Sequence, residues 1–432
     1  MEAHPQADTS SLLERHSGAR RAAPTVAEVA DLLPEIIALR RDLHAHPELA
    51  FQERRTAVIV ARALRDAGLE VHEGLGGTGV VGVLRNGSSG ATVGLRADMD
   101  ALPIVEQGER AHISTVAGVH HGCGHDGHTA ILLGAARHLA RSRRFDGTVH
   151  FIFQPAEEGR GGARAMVQDG LFERFACDAV YALHNWPDLP LGSAQTRPGP
   201  MMAAADRFDI TVRGRGGHAA QPQRTPDAIL AASELVTHLN TLVSRRIDPN
   251  ATAVLSVTRI AGGDSHNVLP AHVELTGTVR TFDVDVQDTI EAALRQVAQG
   301  VAHASGTDID VSYVRYYPAT INTAAEVECA LHAAASVGLR TAVAQRPAFT
   351  AEDFAFMLRE RPGAYLWLGQ GRGASGDPPL HHPAYDFNDE ALGFGIAWFV
   401  AIAELALARR RGEGRTRIDE SATTSAPGRA AK

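Results

Sequence analysis

Four segments in the first half of the chain, "ATVGLRADMD", "HTAILLGAARHLARS", "TVHFIFQPAEEG" and "DAVYALHNWP", alternate short β-branched runs with helical patterns. This rhythm predicts an α/β fold with a mostly parallel sheet, because parallel neighbours need a long crossover and that crossover is usually a helix. Open parallel sheets bind ligands outside the carboxyl ends of their strands. Those ends carry polar groups here: Asp98 and Asp100 follow "TVGLRA", Glu157 and Glu158 follow "TVHFIFQPA", and His184 closes "DAVYAL". Carboxylates and an imidazole from separate strands are therefore expected on one edge.

From about Ala203 to Tyr317 the pattern changes. The strand "DRFDITVRGRGG", a helix near Asp227 to Ser244, the strands "ATAVLSVTRIAGG" and "HVELTGTVRTF", a helix near Thr289 to His303 and the strand "DIDVSYVRYY" form two strand-helix-strand halves. Such halves predict a ferredoxin-like α+β domain. Afterwards "AFTAEDFAFML", "AYLWLGQG" and the helix "EALGFGIAWFVAIAELALARR" resume the first pattern, so the small domain reads as an insertion. The expected division is a catalytic domain in two parts, 27–202 and 318–408, around an inserted domain, 203–317. The segments 1–26 and 409–432 are too poor in apolar residues to order themselves and read as tails.

A chain of 432 residues with 44% hydrophobic content can bury a large core. Its formal charge of -8 makes nucleic acid and anionic membranes unnatural partners and leaves small molecules open. No stretch reads as approaching the roughly 20 apolar residues of a membrane span. The first 25 residues hold no apolar run of signal-peptide length. Three scattered cysteines do not make a disulfide framework and fit a reducing compartment, so a cytoplasmic location is expected.

Residues 120–128 hold four histidines and Cys123. Thiolates, imidazoles and carboxylates are the donors of divalent-metal sites, in which one ligand can bridge two ions. Cys123, His125, Glu158, His184 and one of the pair His381/His382 would suffice. Singly, each has an ordinary structural role: an inert buried thiol, packing imidazoles, a solvated glutamate pair. Their joint occurrence at strand ends points to a metal site. On an extended segment Glu157 and Glu158 would face opposite ways, so that one holds metal while the other moves protons.

The motifs "LRADMDALP", "HGCGHDGHTA", "QPAEEG", "LHNWP", "GRGGHAAQP", "GGDSHNVLPAHVELTGTVRTF", "TAEDFAF" and "LHHPAYDFNDE" occur in that order, after the opening "RRDLHAHPELAFQE". Together they resemble the M20-type metallopeptidase superfamily, in the amidohydrolase branch that includes hippurate hydrolase, N-acyl-amino-acid amidohydrolase and auxin-amino-acid conjugate hydrolase. The resemblance covers about residues 30 to 407.

It implies two divalent ions per subunit, zinc, manganese, cobalt or nickel, bridged by Cys123, with His125, Glu158, His184 and His381 as the other ligands. Glu157 matches the general acid/base. The pattern "ADMD" places Asp98 where many peptidases of the superfamily carry a histidine ligand, so Asp98 and Asp100 are better read as orienting a ligand imidazole. The small domain resembles a lid and dimerisation domain. His218 is there expected to stabilise the oxyanion in the partner subunit's site, and Asn267 and Arg280 to hold a substrate carboxylate. Glycines 214, 216 and 217 and the 261–264 turn supply flexible backbone for closure.

The implied reaction is hydrolysis of an N-acyl-amino acid by a homodimer. The alternatives are a dipeptidase or carboxypeptidase of the same superfamily, a cysteine amidase with Cys123 as nucleophile, and a non-catalytic metal-binding protein.

Overall fold

The computed structural model describes residues 25–371 and 377–424, with side chains described through Arg410. Its large sheet has eight strands in the order Glu70–Leu75, Gly79–Asn86, Gly147–Gln154, Thr92–Asp98, Ala179–Pro190, Gly363–Gly371, Ser193–Thr196, Arg340–Val343. From Gly147–Gln154 to Gly363–Gly371 every neighbouring pair is parallel, and antiparallel pairs occur only outside this group. These strands are buried on both faces, Gly363–Gly371 along its whole length. A parallel sheet requires this, because its crossover helices cover both sides. Alternation along Gly147–Gln154 shows the two cores directly: Phe151 and Phe153 join the cluster under the helices His125–Ser142 and Leu392–Thr424, while Ile152 joins the cluster with Met166, Phe172 and Met357.

Two sequence expectations meet a different outcome. The segment Asp389–Arg410 is long and apolar enough to span a membrane, with a mean hydropathy of 2.0, contrary to the reading that nothing approaches that length. Its best window is 78% buried within the fold. It is the central core helix, packed on His125–Ser142 and on the helix Ala324–Ser336. That helix also runs on to Thr424, past the 408 boundary at which a tail was expected. The arginines and glutamates beyond that point are good helix formers even though they are not apolar. Residues 1–24 and 425–432 lie outside the described residues.

The small domain runs from the strand Ala204–Arg213 to the strand Asp308–Tyr317. Its four-stranded sheet has the order Ala253–Ala261, His272–Thr281, Ala204–Arg213, Asp308–Tyr317, all antiparallel, which is the ferredoxin-like arrangement. Buried residues alternate with half-buried or exposed ones along Ala204–Arg213 and His272–Thr281, as in a sheet with one face on a core. That face packs against the helices Ala228–Arg246 and Val284–Ser305. Each helix begins at an aspartate whose carboxylate accepts two backbone N–H groups: Asp227 from Ile229 and Leu230, Asp283 from Asp285 and Val286. The chain enters and leaves this domain through Gly199–Met202 and Thr320–Asn322, which pair with each other.

Candidate metal centre

The carboxyl ends of the central strands deliver their polar groups to one place. Gly124 sits at φ 90° between Cys123 and the first turn of the helix His125–Ser142. A Cβ there would lie 2.4 Å from Asn185 Oδ1, so both the left-handed turn and the close approach require glycine. The turn sets Cys123 Sγ 3.4 Å from His184 Nε2. Ligand atoms of Cys123, His125 and His184 lie within 4.8 Å of one another, as do those of Cys123, Glu158 and His381. Cys123 is common to both groups.

The two imidazoles on the sheet side are held in the tautomer a ligand needs. His125 Nδ1 faces the backbone oxygen of Asp100 at 2.9 Å and its carboxylate at 3.2 Å, leaving Nε2 buried without a hydrogen-bond partner. His184 Nδ1 faces the backbone oxygen of Asn185 at 2.7 Å, which frees Nε2 toward Cys123. His381, at φ 66°, comes in from a separate segment, anchored by its backbone N–H to Gly122 O at 2.7 Å. Its Nε2 lies 3.3 Å from Glu158 Oε1, another buried atom without a hydrogen bond. His382 is turned away, its Nδ1 accepting from the Ala384 N–H at 3.0 Å.

Asp100 accepts the backbone N–H of Glu157 at 3.0 Å and that of Glu158 at 2.9 Å while facing His125, so one carboxylate orients three candidate site residues. Asp98 Oδ1 lies 2.6 Å from His128 Nδ1, and its Oδ2 is paired with Arg96 at 2.8 Å and lies 3.7 Å from His125 Nε2. Glu157 and Glu158 do diverge, but not through alternation on an extended segment. Ala156 is left-handed at φ 53°, and Glu158 and Gly159 break the helical geometry of the turn Glu157–Arg160. The Glu157 carboxylate accepts the Asp353 N–H at 3.3 Å, while Glu158 Oε1 faces His381.

The electrostatics of this pocket favour a cation. Burial alone would lower the His125 pKa, yet Asp98, Asp100 and Glu158 outweigh it and carry it up to about 10. Burial, then the carboxylates of Glu158, Glu157 and Asp98, push the Cys123 thiol well above its usual range. His184, buried beside His128, is held neutral. A divalent ion would satisfy the unpartnered Nε2 and Oε1 atoms, and the mixed thiolate, imidazole and carboxylate donors fit zinc-like or manganese-like ions.

Several residues that sequence reasoning did not single out complete the surroundings. Buried Arg96 bonds Asp98, Gln154, Glu352 and Asp353, tying the wall beside Glu157 to the central strand. Asn185 joins His128 Nε2 at 2.6 Å to the Tyr385 hydroxyl at 2.6 Å. Glu352 and Asp353 lie in "TAEDFAF" and Asn185 in "LHNWP", motifs whose functional weight had been placed on other residues or left unassigned.

The small-domain residues are not part of this cluster. His218 and Asn267 come together through pairing of Gly217–His218 with Val268–Leu269 and the Ala219 N–H to Asn267 O bond at 3.0 Å. Both are exposed. Arg280 is half-buried on His272–Thr281, donating to the backbone oxygen of Val279 at 3.0 Å and to the Thr278 hydroxyl. No hydrogen bond or ion pair among the described residues joins these three to Cys123 or its neighbours.

A paired-ligand cluster with a spare buried carboxylate at the strand ends of an α/β sheet defines the class: a metal-dependent hydrolase. The chain matches Peptidase family M20/M25/M40 over residues 94–405 and belongs to that family. It is 39% identical over 383 residues to hippurate hydrolase of Campylobacter jejuni, covering 88% of this chain and 98% of that one. It is 38% identical over 374 residues to N-acetylcysteine deacetylase of Bacillus subtilis, covering 86% and 97%. The crystal structure of a dinuclear metal binding peptidase of the M20 family from Bacillus subtilis superposes with a TM-score of 0.78 at 35% identity, over 88% of this chain and 99% of that one. These similarities support an amidohydrolase with two divalent ions.

Proposed function

We propose that the protein hydrolyses the amide bond of N-acyl-L-amino acids, releasing a carboxylic acid and a free amino acid. The observation that carries this reading is the different partnering of two adjacent glutamates: Glu158 groups with Cys123 and His381, while Glu157 accepts the Asp353 N–H. Bound divalent ions supply Lewis acidity toward the scissile carbonyl and make a water acidic enough to attack near neutral pH. Cys123, His125, His184, Glu158 and His381 would hold them. Glu157 takes the proton from the attacking water and returns it to the leaving nitrogen. Burial, followed by the charges of Glu352, Glu158, Asp353 and Asp100, pushes its carboxyl well above the usual range, so in the metal-free pocket it holds a proton more firmly than a free glutamate does.

A panel of N-acetyl, N-benzoyl and long-chain N-acyl amino acids plus dipeptides, assayed for released amino acid, tests the reading. Turnover of one acyl class above dipeptides is expected, lost on chelation and restored by zinc, manganese, cobalt or nickel. Faster cleavage of dipeptides would make the protein a peptidase instead, and turnover surviving complete metal removal would make Cys123 the nucleophile.

The proposed active form is a cytoplasmic homodimer. Three buried free thiols fit a reducing compartment. The small domain presents the edge strand Ala253–Ala261 with Ile260 52% exposed, and Leu230 58% exposed on the helix behind it, an apolar surface suited to a second copy. In this reading His218 stabilises the oxyanion in the partner's site, with Asn267 and Arg280 holding the substrate carboxylate. His218→Ala should lower kcat by about 10²-fold or more, as loss of an oxyanion donor does, with metal content unchanged. Co-expressing His218→Ala with Glu157→Gln subunits should restore activity, because each mixed dimer then holds one complete site. No recovery would place His218 in its own subunit's chemistry.

A further inference from the structure

Behind the metal centre lies a buried ionic cluster that the proposed chemistry does not use. Arg40, on the helix Leu33–Ala45, is fully buried. Its Nε is 2.9 Å from Asp126 Oδ2, its Nη2 pairs with Asp386, and its Nη1 is 3.5 Å from Asp389 Oδ1. His44, one turn on, places Nδ1 2.8 Å from the same Asp126 oxygen and Nε2 3.1 Å from Glu106 Oε1. Asp386 also faces His112 Nε2 at 3.2 Å and Arg110 Nε at 3.5 Å.

The chain positions of these partners give the cluster its meaning. Asp126 follows His125 directly. Asp386 and Asp389 stand on the segment that begins with His381, which approaches the metal centre from the far end of the sequence. Among the described residues, Arg40 is the one side chain that binds both. The contact it closes is tight: a Cβ at Gly127 would lie 2.3 Å from the Phe387 ring, and the Arg40 guanidinium sits over that ring at 5.8 Å. The ligands Cys123, His125 and His184 are fixed by the sheet and the helix start. His381 is exposed, its side chain 52% accessible, and has no strand or helix of its own.

We propose that Arg40 and Asp386 are positioning residues for the metal centre, docking the His381 segment onto the His125 helix and so selectively completing the Cys123, Glu158, His381 ligand group. The inference rests on the two-metal reading and adds that the two ions depend on this clamp to different degrees. It also accounts for why a costly buried charge is kept: an arginine with carboxylates from separate segments fixes their geometry in a way an apolar contact cannot.

The test is a competitive metal titration of the purified apo-protein with zinc, read by a chromophoric chelator. Wild type is expected to bind two ions. Asp386→Asn keeps Arg40 paired with Asp126 and should weaken one binding step by about 10- to 100-fold, the usual cost of disturbing an orienting partner, leaving the other step unchanged. Asp386→Glu should recover part of the loss. Arg40→Lys, which keeps the charge but not the planar fork, should resemble Asp386→Asn. Equal weakening of both steps, or two unchanged steps with only a lowered melting temperature, overturns the proposal. Wild type binding fewer than two ions would instead remove the two-metal reading beneath it.

Discussion

Replacing Glu157 with glutamine should leave the protein folded and loaded with metal and lower kcat by about 10³-fold, within the range lost with a general acid/base. The side chain is buried and the substitution keeps its size, while an amide oxygen still accepts the Asp353 N–H. What disappears is the group proposed to carry the proton from water to the leaving nitrogen. Metal analysis and steady-state kinetics on the same sample decide the matter. Retained metal with retained turnover would remove Glu157 from the chemistry, and lost metal would show it to be a ligand.

The second large effect is expected at Cys123. Its Sγ belongs to both ligand groups, so Cys123→Ala should disturb both ions together. Metal affinity should fall beyond the roughly 100-fold seen when only orienting partners are changed, and turnover should fall with it. A thiol raised this far by burial beside carboxylates becomes a thiolate readily only next to a cation. A nucleophilic cysteine predicts a different pair of results: turnover abolished and metal content intact.

The strand ends were legible because their signals are local. A β-branched run followed by Asp98, Glu157 or His184 states both the element and its terminus, and Cys123 with His125 lies in a nine-residue window. The ferredoxin-like order followed equally from strand and helix periodicity. The clamp was not legible, since Arg40 and Asp386 stand 346 residues apart and only the packing of two helices and a loop brings them together. The divergence of Glu157 and Glu158 depends on a left-handed alanine, a conformation that alanine does not advertise. The core helix Leu392–Thr424 misled in two ways: its apolar stretch had spanning length, and its polar continuation read as a tail although arginine and glutamate favour helix.

The strand Gly363–Gly371 lies between Ala179–Pro190 and Ser193–Thr196, two strands that adjoin in sequence. During synthesis from the N-terminus, the large sheet must therefore wait with an open slot until the last quarter of the chain emerges. The inserted domain, continuous from Ala204 to Tyr317, has every strand it needs well before then. Domains fold as units when their segments are complete, and open strand edges invite wrong partners while they wait. The inserted domain is thus complete before the large sheet, and His381, the last of the proposed ligands, lies beyond even the late strand. A nascent chain therefore cannot complete the proposed centre before its main body is ready to hold it.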